Sequence, residues 1–166
     1  MADERGALSG LRLGLLTCSS TRTLADDGSG DALERGIAAA GGAVARRALL
    51  PDDRGRIADL LRQWADAGDC DVILTTGGTG LGPYDVTPEA TADAAERDVP
   101  GLAELLRLRG LEQTPFSALS RGRAALRGHT LICNLPGSPR GAAEGLAVLQ
   151  PVLGHAVRMA RGGGHG

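Results

Sequence analysis

The chain has no lysine, and all of its 18 basic residues are arginine. It therefore cannot carry a phosphate-binding Gly-Lys-Ser/Thr loop, whose lysine reaches the terminal phosphates of a nucleotide. Aromatic residues are almost missing, with one Trp, one Tyr and one Phe. The core must be built from Leu, Ala, Val and Ile, with small residues allowing close contact between helices and sheet. Cys18, Cys70 and Cys133 are odd in number, widely spaced and without the spacing of a zinc site. They read as reduced thiols of the core or of strand ends. No apolar run approaches the roughly 18 residues of a membrane span, and the polar, charged start does not read as a secretory leader. The cytoplasm is the expected location, with no membrane partner. The net charge of −2 gives no general electrostatic footprint for nucleic acid. His129, His155 and His165 lie in a turn, a terminal helix and the tail, so no Ser/His/Asp set forms and hydrolysis by a histidine base is not expected.

Glycine is abundant instead, at 26 of 166 residues with no regular repeat. The most informative stretch runs from Val72 to Ala90. It opens with a β-branched apolar run at 72–76, passes through Gly77, Gly78, Gly80 and Gly82, and enters a helix. Thr87 is the expected cap, with Pro88 at the first helical position and Glu89 in the first turn. A glycine loop at the carboxyl end of a strand lets backbone N–H groups approach an anion. Asp85 lies just beyond the glycines. It would repel a phosphate directly, and makes better sense holding a hydrated Mg²⁺ that bridges to one. A plain strand-to-helix turn with Asp85 as a turn residue is the alternative.

Taken in order, the pattern predicts a loose start at 1–10, one domain at 11–161 and a flexible tail at 162–166. Strands are expected at 11–17, 44–50, 72–76 and 130–135, with a brief one at 124–127. Helices are expected at 31–40, 54–67, 87–98 and 100–109, and then at 140–149 and 151–161 as two separate pieces. The segment 113–119 has no clear type. This alternation argues a three-layer α/β/α domain with a mostly parallel sheet. In such a sheet three loops, at 18–30, 77–86 and 136–139, leave strand ends on one edge and can meet at one site. The first offers Ser19, Ser20, Asp27, Ser29 and Gly30, with Ser29 a helix cap, a ligand group or both. The third offers Asn134 and Ser138, where Asn134 either reads a ligand or braces the turn. Asp52 can add a carboxylate to the same edge, whereas Asp53 reads as a turn residue before a helix. Phosphate chemistry by positioning and Mg²⁺ needs no more than such donors and acids.

The runs T-T-G-G-T-G-L-G-P-Y-D-V-T-P-E-A at 75–90, P-G-L-A-E-L at 100–105, T-P-F-S-A-L-S-R at 114–121 and R-G-H-T-L-I-C-N-L-P-G-S-P at 127–139 resemble the molybdenum cofactor biosynthesis family of MogA/MoaB type. Its relatives include the matching domains of gephyrin and plant Cnx proteins. The resemblance runs from about Leu11 to Arg161. It implies a compact α/β/α domain, commonly a homotrimer, that adenylylates molybdopterin with Mg-ATP, releases pyrophosphate and passes the product to a metal-insertion protein. By position it implies that Gly77, Gly78, Thr79 and Gly80 contact phosphate. Asp85 matches the family's essential, Mg²⁺-linked acid, and Asp52 a second functional acid. Ser19, Asp27, Ser29 and Gly30 fall in the matching first loop. Ser120 and Arg121 match a Ser-Arg pair, with Arg121 offering positive charge to the ligand. Asn134, Pro136, Gly137 and Ser138 match the third loop. Two positions depart from the family: Tyr84 stands where arginine is usual, and Ser20 where aspartate is usual. A molybdopterin-binding paralogue without turnover is the alternative that these departures imply.

Overall fold

The structure is a computed structural model and describes residues 6–164. Its six strands are β1 (Arg12–Cys18), β2 (Ala43–Leu50), β3 (Val72–Thr76), β4 (Arg97–Asp98), β5 (Ala124–Arg127) and β6 (Thr130–Leu135). They form one sheet in the order β2-β1-β3-β6-β5-β4. The four strands β2, β1, β3 and β6 are parallel, and the β5 and β4 edge is antiparallel. The helices are α1 (Gly28–Ala39), α2 (Arg54–Ala67), α3 (Thr87–Ala94), α4 (Pro100–Gly110) and α5 (Pro139–Ala160).

The central strands are buried on both faces, as parallel strands covered by helices must be. Their side chains alternate between two cores. Leu13 and Leu15 of β1, Val72 and Leu74 of β3, and Leu131, Cys133 and Leu135 of β6 pack with α1, α4 and α5. Leu16, Ile73 and Ile132 point the other way, onto Ile57, Leu61 and Trp64 of α2 and Ala90 and Ala94 of α3. This is the expected three-layer α/β/α arrangement. The only tryptophan packs over Gly14 of β1, where a Cβ would lie 3.0 Å from the Trp64 ring. The three cysteines are free and buried, and burial pushes each thiol up to about 12.

Several local expectations are corrected. The segment 87–98 is not one helix: α3 stops at Ala94, Ala95 turns extended, and Arg97–Asp98 pairs antiparallel with β5. The two last helices are one, α5, with Pro151 inside it. Proline removes an intrahelical hydrogen bond, but the buried stripe of Ala142, Leu146, Leu149, Leu153 and Val157 runs unbroken through it, and packing outweighs that local cost. Ser29 does not cap α1; Asp27 does, accepting from the Gly30 N–H at 3.0 Å. Thr87 is already helical, with Val86 at the cap position. Asp53 stands before α2 as expected and also caps it, accepting from the Arg56 N–H, and the untyped segment holds a 3-10 turn, Pro115–Leu119. Within the start expected to be loose, Leu8 is fully buried and its N–H bonds the Ala40 carbonyl at 2.9 Å. The expectations for 1–5, and for His165 in the tail, lie outside the described residues.

Candidate functional site

The sheet register sets the site. Thr17 of β1 pairs with Thr76 of β3, and Thr76 with Leu135 of β6, so the three strands end within a residue of one another along the sheet. Their loops touch at once. Gly77 turns with φ 93°, and a Cβ there would collide with the Cys18 carbonyl oxygen. A Cβ on Gly137 would lie 3.1 Å from the Gly77 Cα. Thr76 Oγ1 donates to the Pro136 carbonyl at 2.6 Å, and Ser29 Oγ to the Gly137 carbonyl at 2.5 Å. Glycine at these crossings is what lets three chain segments come this close.

Between the loops lies a cleft of about 320 Å³. Of the residues singled out from the sequence, Ser19, Ser20, Asp52, Gly77, Gly78, Asp85 and Gly137 line it. Asp52 is held by Ser20: the Ser20 hydroxyl donates to Asp52 Oδ2 at 2.9 Å, and the Asp52 N–H donates back to that hydroxyl at 3.0 Å. Asp85 is held within its own loop, where Oδ2 accepts from the Gly82 N–H at 2.9 Å. Among the described residues the Oδ1 atoms of both aspartates are left without a hydrogen bond. Gly77 contributes shape and not a donor, since its N–H is spent on the Leu135 carbonyl at 3.2 Å. Among the described residues the Gly78 N–H has no hydrogen-bond partner.

The other predicted residues stand outside the lining. Arg121 faces inward and laces the glycine loop: Nε donates to the Gly80 carbonyl at 2.8 Å, Nη2 to the Asp85 carbonyl at 2.6 Å, and Nη1 pairs with Glu89. That hydrogen bond, aided by the guanidinium charge, holds the Glu89 carboxyl below its usual range. The Arg121 N–H also bonds the Thr79 carbonyl, so Thr79 and Gly80 are anchored by it through their backbones. The hydroxyl of Ser120 supports the next turn by accepting from the Gly122 N–H. Asn134 is buried and braces the fold: its amide donates to Thr75 and Thr91 at 2.9 Å each, and its Oδ1 accepts from the Arg123 N–H at 3.0 Å. Asp27, fully buried, bonds Thr17 and Arg47 while capping α1 at Gly30. Ser138 caps α5, and Pro136 receives the Thr76 hydroxyl.

One cleft residue was missed by the sequence reading. Arg22, from the first loop, is the guanidinium in the lining, and its Nη1 donates to Ser29 Oγ at 2.9 Å and the Gly137 carbonyl at 3.3 Å. The available signal was that it is the sole basic residue between Cys18 and Gly30. The cleft thus gathers two acids, one cation and glycine backbone at the carboxyl edge of a parallel sheet, a place suited to an anionic ligand with or without a bridging cation.

Comparison with known proteins agrees with this setting. The family described as "Probable molybdopterin binding domain" matches residues 14–155. The molybdenum cofactor biosynthesis bifunctional protein of Synechococcus elongatus is 37% identical over 97% of this chain and 51% of its own length. The molybdopterin adenylyltransferase of Helicobacter pylori is 38% identical over 69% of this chain and 65% of its own. The chain therefore spans less than two thirds of these curated relatives. Among solved structures, the molybdopterin biosynthesis enzyme MoaB of Thermus thermophilus superimposes with a TM-score of 0.84 at 49% identity, covering 92% of this chain and 97% of that one. The Mog protein of Mycobacterium ulcerans gives 0.83 at 36% identity, covering 93% and 99%. The same fold, matched across nearly the whole length by both sequence and structure, makes the chain a member of the molybdopterin-binding family of molybdenum cofactor biosynthesis, of the MogA/MoaB type.

Proposed function

We propose that this protein is a molybdopterin adenylyltransferase. The observation that carries the reading is the meeting of Asp52, Asp85 and Arg22, from three separate segments, with Gly77, Gly78 and Gly137 around one cleft. An oxygen of the molybdopterin phosphate attacks the α-phosphorus of ATP, the bond from that phosphorus to the bridging oxygen of the β-phosphate breaks, and pyrophosphate leaves. Such transfer asks the protein mainly to position the reactants and to balance charge. The free Gly78 N–H and the Arg22 guanidinium are the donors the cleft offers to phosphate oxygens. Asp52 and Asp85 would suit Mg²⁺, which needs only one or two carboxylates and keeps several of its waters. The Oδ1 atoms left free on both side chains are the oxygens that would hold it. When bound, Mg²⁺ would neutralise phosphate charge. The chain's own part is to fix those oxygens, through Ser20 for Asp52 and Gly82 for Asp85.

The test is pyrophosphate release from Mg-ATP in the presence of molybdopterin. Asp85→Asn keeps size and most hydrogen bonding and is expected to slow release on the order of a hundredfold or more. Release unchanged by that substitution would refute the role of Asp85. One observation favours a second reading, a molybdopterin-binding protein without turnover. Tyr84, beside Asp85, is 77% exposed and brings no guanidinium to the cleft. Tight molybdopterin binding with no pyrophosphate release from the wild-type chain would select it.

The family likeness supports a homotrimer, and Leu108, Leu111, Phe116 and Leu119, all exposed on α4 and the turns after it, are apolar surface for assembly. Light scattering on the eluted protein reads the subunit number. No helix among the described residues is long and apolar enough to cross a membrane, and we place the protein in the cytoplasm, passing its product to a metal-insertion partner.

A further inference from the structure

We infer that Arg22 is the side chain that grips the phosphates of the ligand in this cleft, doing locally what an otherwise acidic lining cannot. The inference rests on the proposed phosphate-binding role of the cleft and deepens it by making Arg22, held in place before the ligand arrives, the main grip. Three observations converge on it. Among the described residues Arg22 is the one guanidinium in the lining, set against Asp52 and Asp85. Ionised phosphate meeting two carboxylates needs positive charge close by.

The arginine on the glycine loop is not free to supply it. Arg121 spends Nε, Nη1 and Nη2 on Gly80, Glu89 and Asp85, and its place is inside the glycine loop. No lysine exists in the chain to take over. Tyr84, next to Asp85, offers a phenol and no cation.

Arg22 itself is half-committed. Only Nη1 is used, on Ser29 and Gly137. Among the described residues Nε and Nη2 have no hydrogen-bond partner and no carboxylate forms an ion pair with this side chain. Asp26 feels its charge but is held by Thr23, whose N–H donates to Asp26 Oδ1 at 2.5 Å. The Nη1 bonds tie the guanidinium to the first and third loops, so its remaining face is fixed at the cleft before any ligand arrives. A planar fork with free donors in that position matches phosphate oxygens.

The probe is inorganic pyrophosphate titrated calorimetrically into the full chain at constant salt. Arg22→Gln is expected to weaken binding about ten- to hundredfold, the range of a lost charge-assisted hydrogen bond. Arg22→Lys, which restores charge without the fork, is expected to recover part of the loss. Thermal unfolding of each variant separates a lost grip from a lost fold: if Arg22→Gln unfolds, the affinity deficit of a folded Arg22→Lys variant carries the test. Folded Arg22→Gln protein binding pyrophosphate as tightly as wild type, or wild-type protein giving no binding at all, overturns the inference. A wild-type chain that binds pyrophosphate through Arg22 yet forms no adenylylated product sinks the enzymatic reading while sustaining this one. A chain that turns over equally well with Gln at position 22 does the reverse.

Discussion

Gly77→Ala probes the crossing of the three loops, and Gly68→Ala isolates the part of its effect that is only backbone preference. Both glycines have positive φ, 93° and 74°. An L-residue in left-handed backbone costs about 1–2 kcal/mol. At Gly68, the C-cap of α2, a Cβ would meet nothing within 4 Å. That variant should lose about 1–2 kcal/mol and nothing more. At Gly77 the added methyl drives into the backbone oxygen of Cys18, which cannot swing away as a side chain would. Relief requires moving β1's exit or the third loop, whose Gly137 runs close to the Gly77 Cα with room for no side chain between them. Forced backbone shifts of this kind cost about 1–3 kcal/mol further. Equilibrium urea unfolding should therefore rank wild type, then Gly68→Ala, then Gly77→Ala, with a gap of about 1–3 kcal/mol between the variants. The same displacement carries Cys18, Ser19 and Gly137 out of register, so Gly77→Ala should also lose pyrophosphate affinity while Gly68→Ala keeps it. Equal stability of the two variants, or full ligand affinity in Gly77→Ala, would contradict the claim that the loops are held together by a contact only glycine allows.

The fold was readable where the sequence repeats itself and obscure where distant contacts decide. Strands β3 and β6 are short, largely apolar runs closed by Gly77 and Pro136, β2 lies between Gly42 and Pro51, and α2 has its apolar residues at helical spacing with Asp53 before it and Gly68 after it. These are local signals and local rules read them. Strand β4 is two residues long and exists only because β5 lies beside it; nothing in Arg97 and Asp98 says strand, and the alanines before them say helix. Pro151 misleads in the other direction. A proline rule splits the last helix, while the stripe continuing to Val157 holds it together against the sheet.

In the site, composition and order placed Asp52, Asp85 and the glycines on one edge, because strand-end geometry follows from the α/β pattern. Direction was not readable. Arg121 could as well have faced a ligand; that it faces Gly80 and Asp85 depends on where carbonyls point 36 to 41 residues away. Asn134 likewise turns to Thr75 and Thr91, which only sheet and helix packing bring near. Arg22 carried too little local signal, since its structural partner Gly137 lies 115 residues on. Side chains whose role is set by long-range backbone are the ones a single sequence hides.

The cysteine thiols, each pushed up to about 12 by burial, should resist a thiol reagent at pH 8 in native protein and react in denaturant. Fast native modification of any of them would show that the cores open more readily than the packing indicates. At the opposite end of the sheet, Asp71→Ala tests the clasp between β1 and the end of α5. Asp71 is 3% exposed, and its carboxylate accepts from the Arg12 N–H at 2.8 Å and the Arg12 guanidinium at 2.8 Å, and pairs with Arg161. The two guanidinia are half exposed and can return to water at little cost. The buried carboxylate's bonds, above all that to the backbone N–H, are the larger loss, so the variant should lose about 2–4 kcal/mol at pH 7. Burial alone would raise the Asp71 carboxyl, but the hydrogen bonds and charge of Arg12 outweigh it and hold the carboxyl below its ordinary value. A depressed folded pKa gives stability that is complete above the unfolded value of about 3.9 and disappears as pH falls through the folded one. Wild type should thus approach the variant in acid, and the gap measured by urea unfolding at pH 7 should shrink below about pH 4. A gap independent of pH would mean that Asp71 holds the clasp by shape, with its charge contributing nothing.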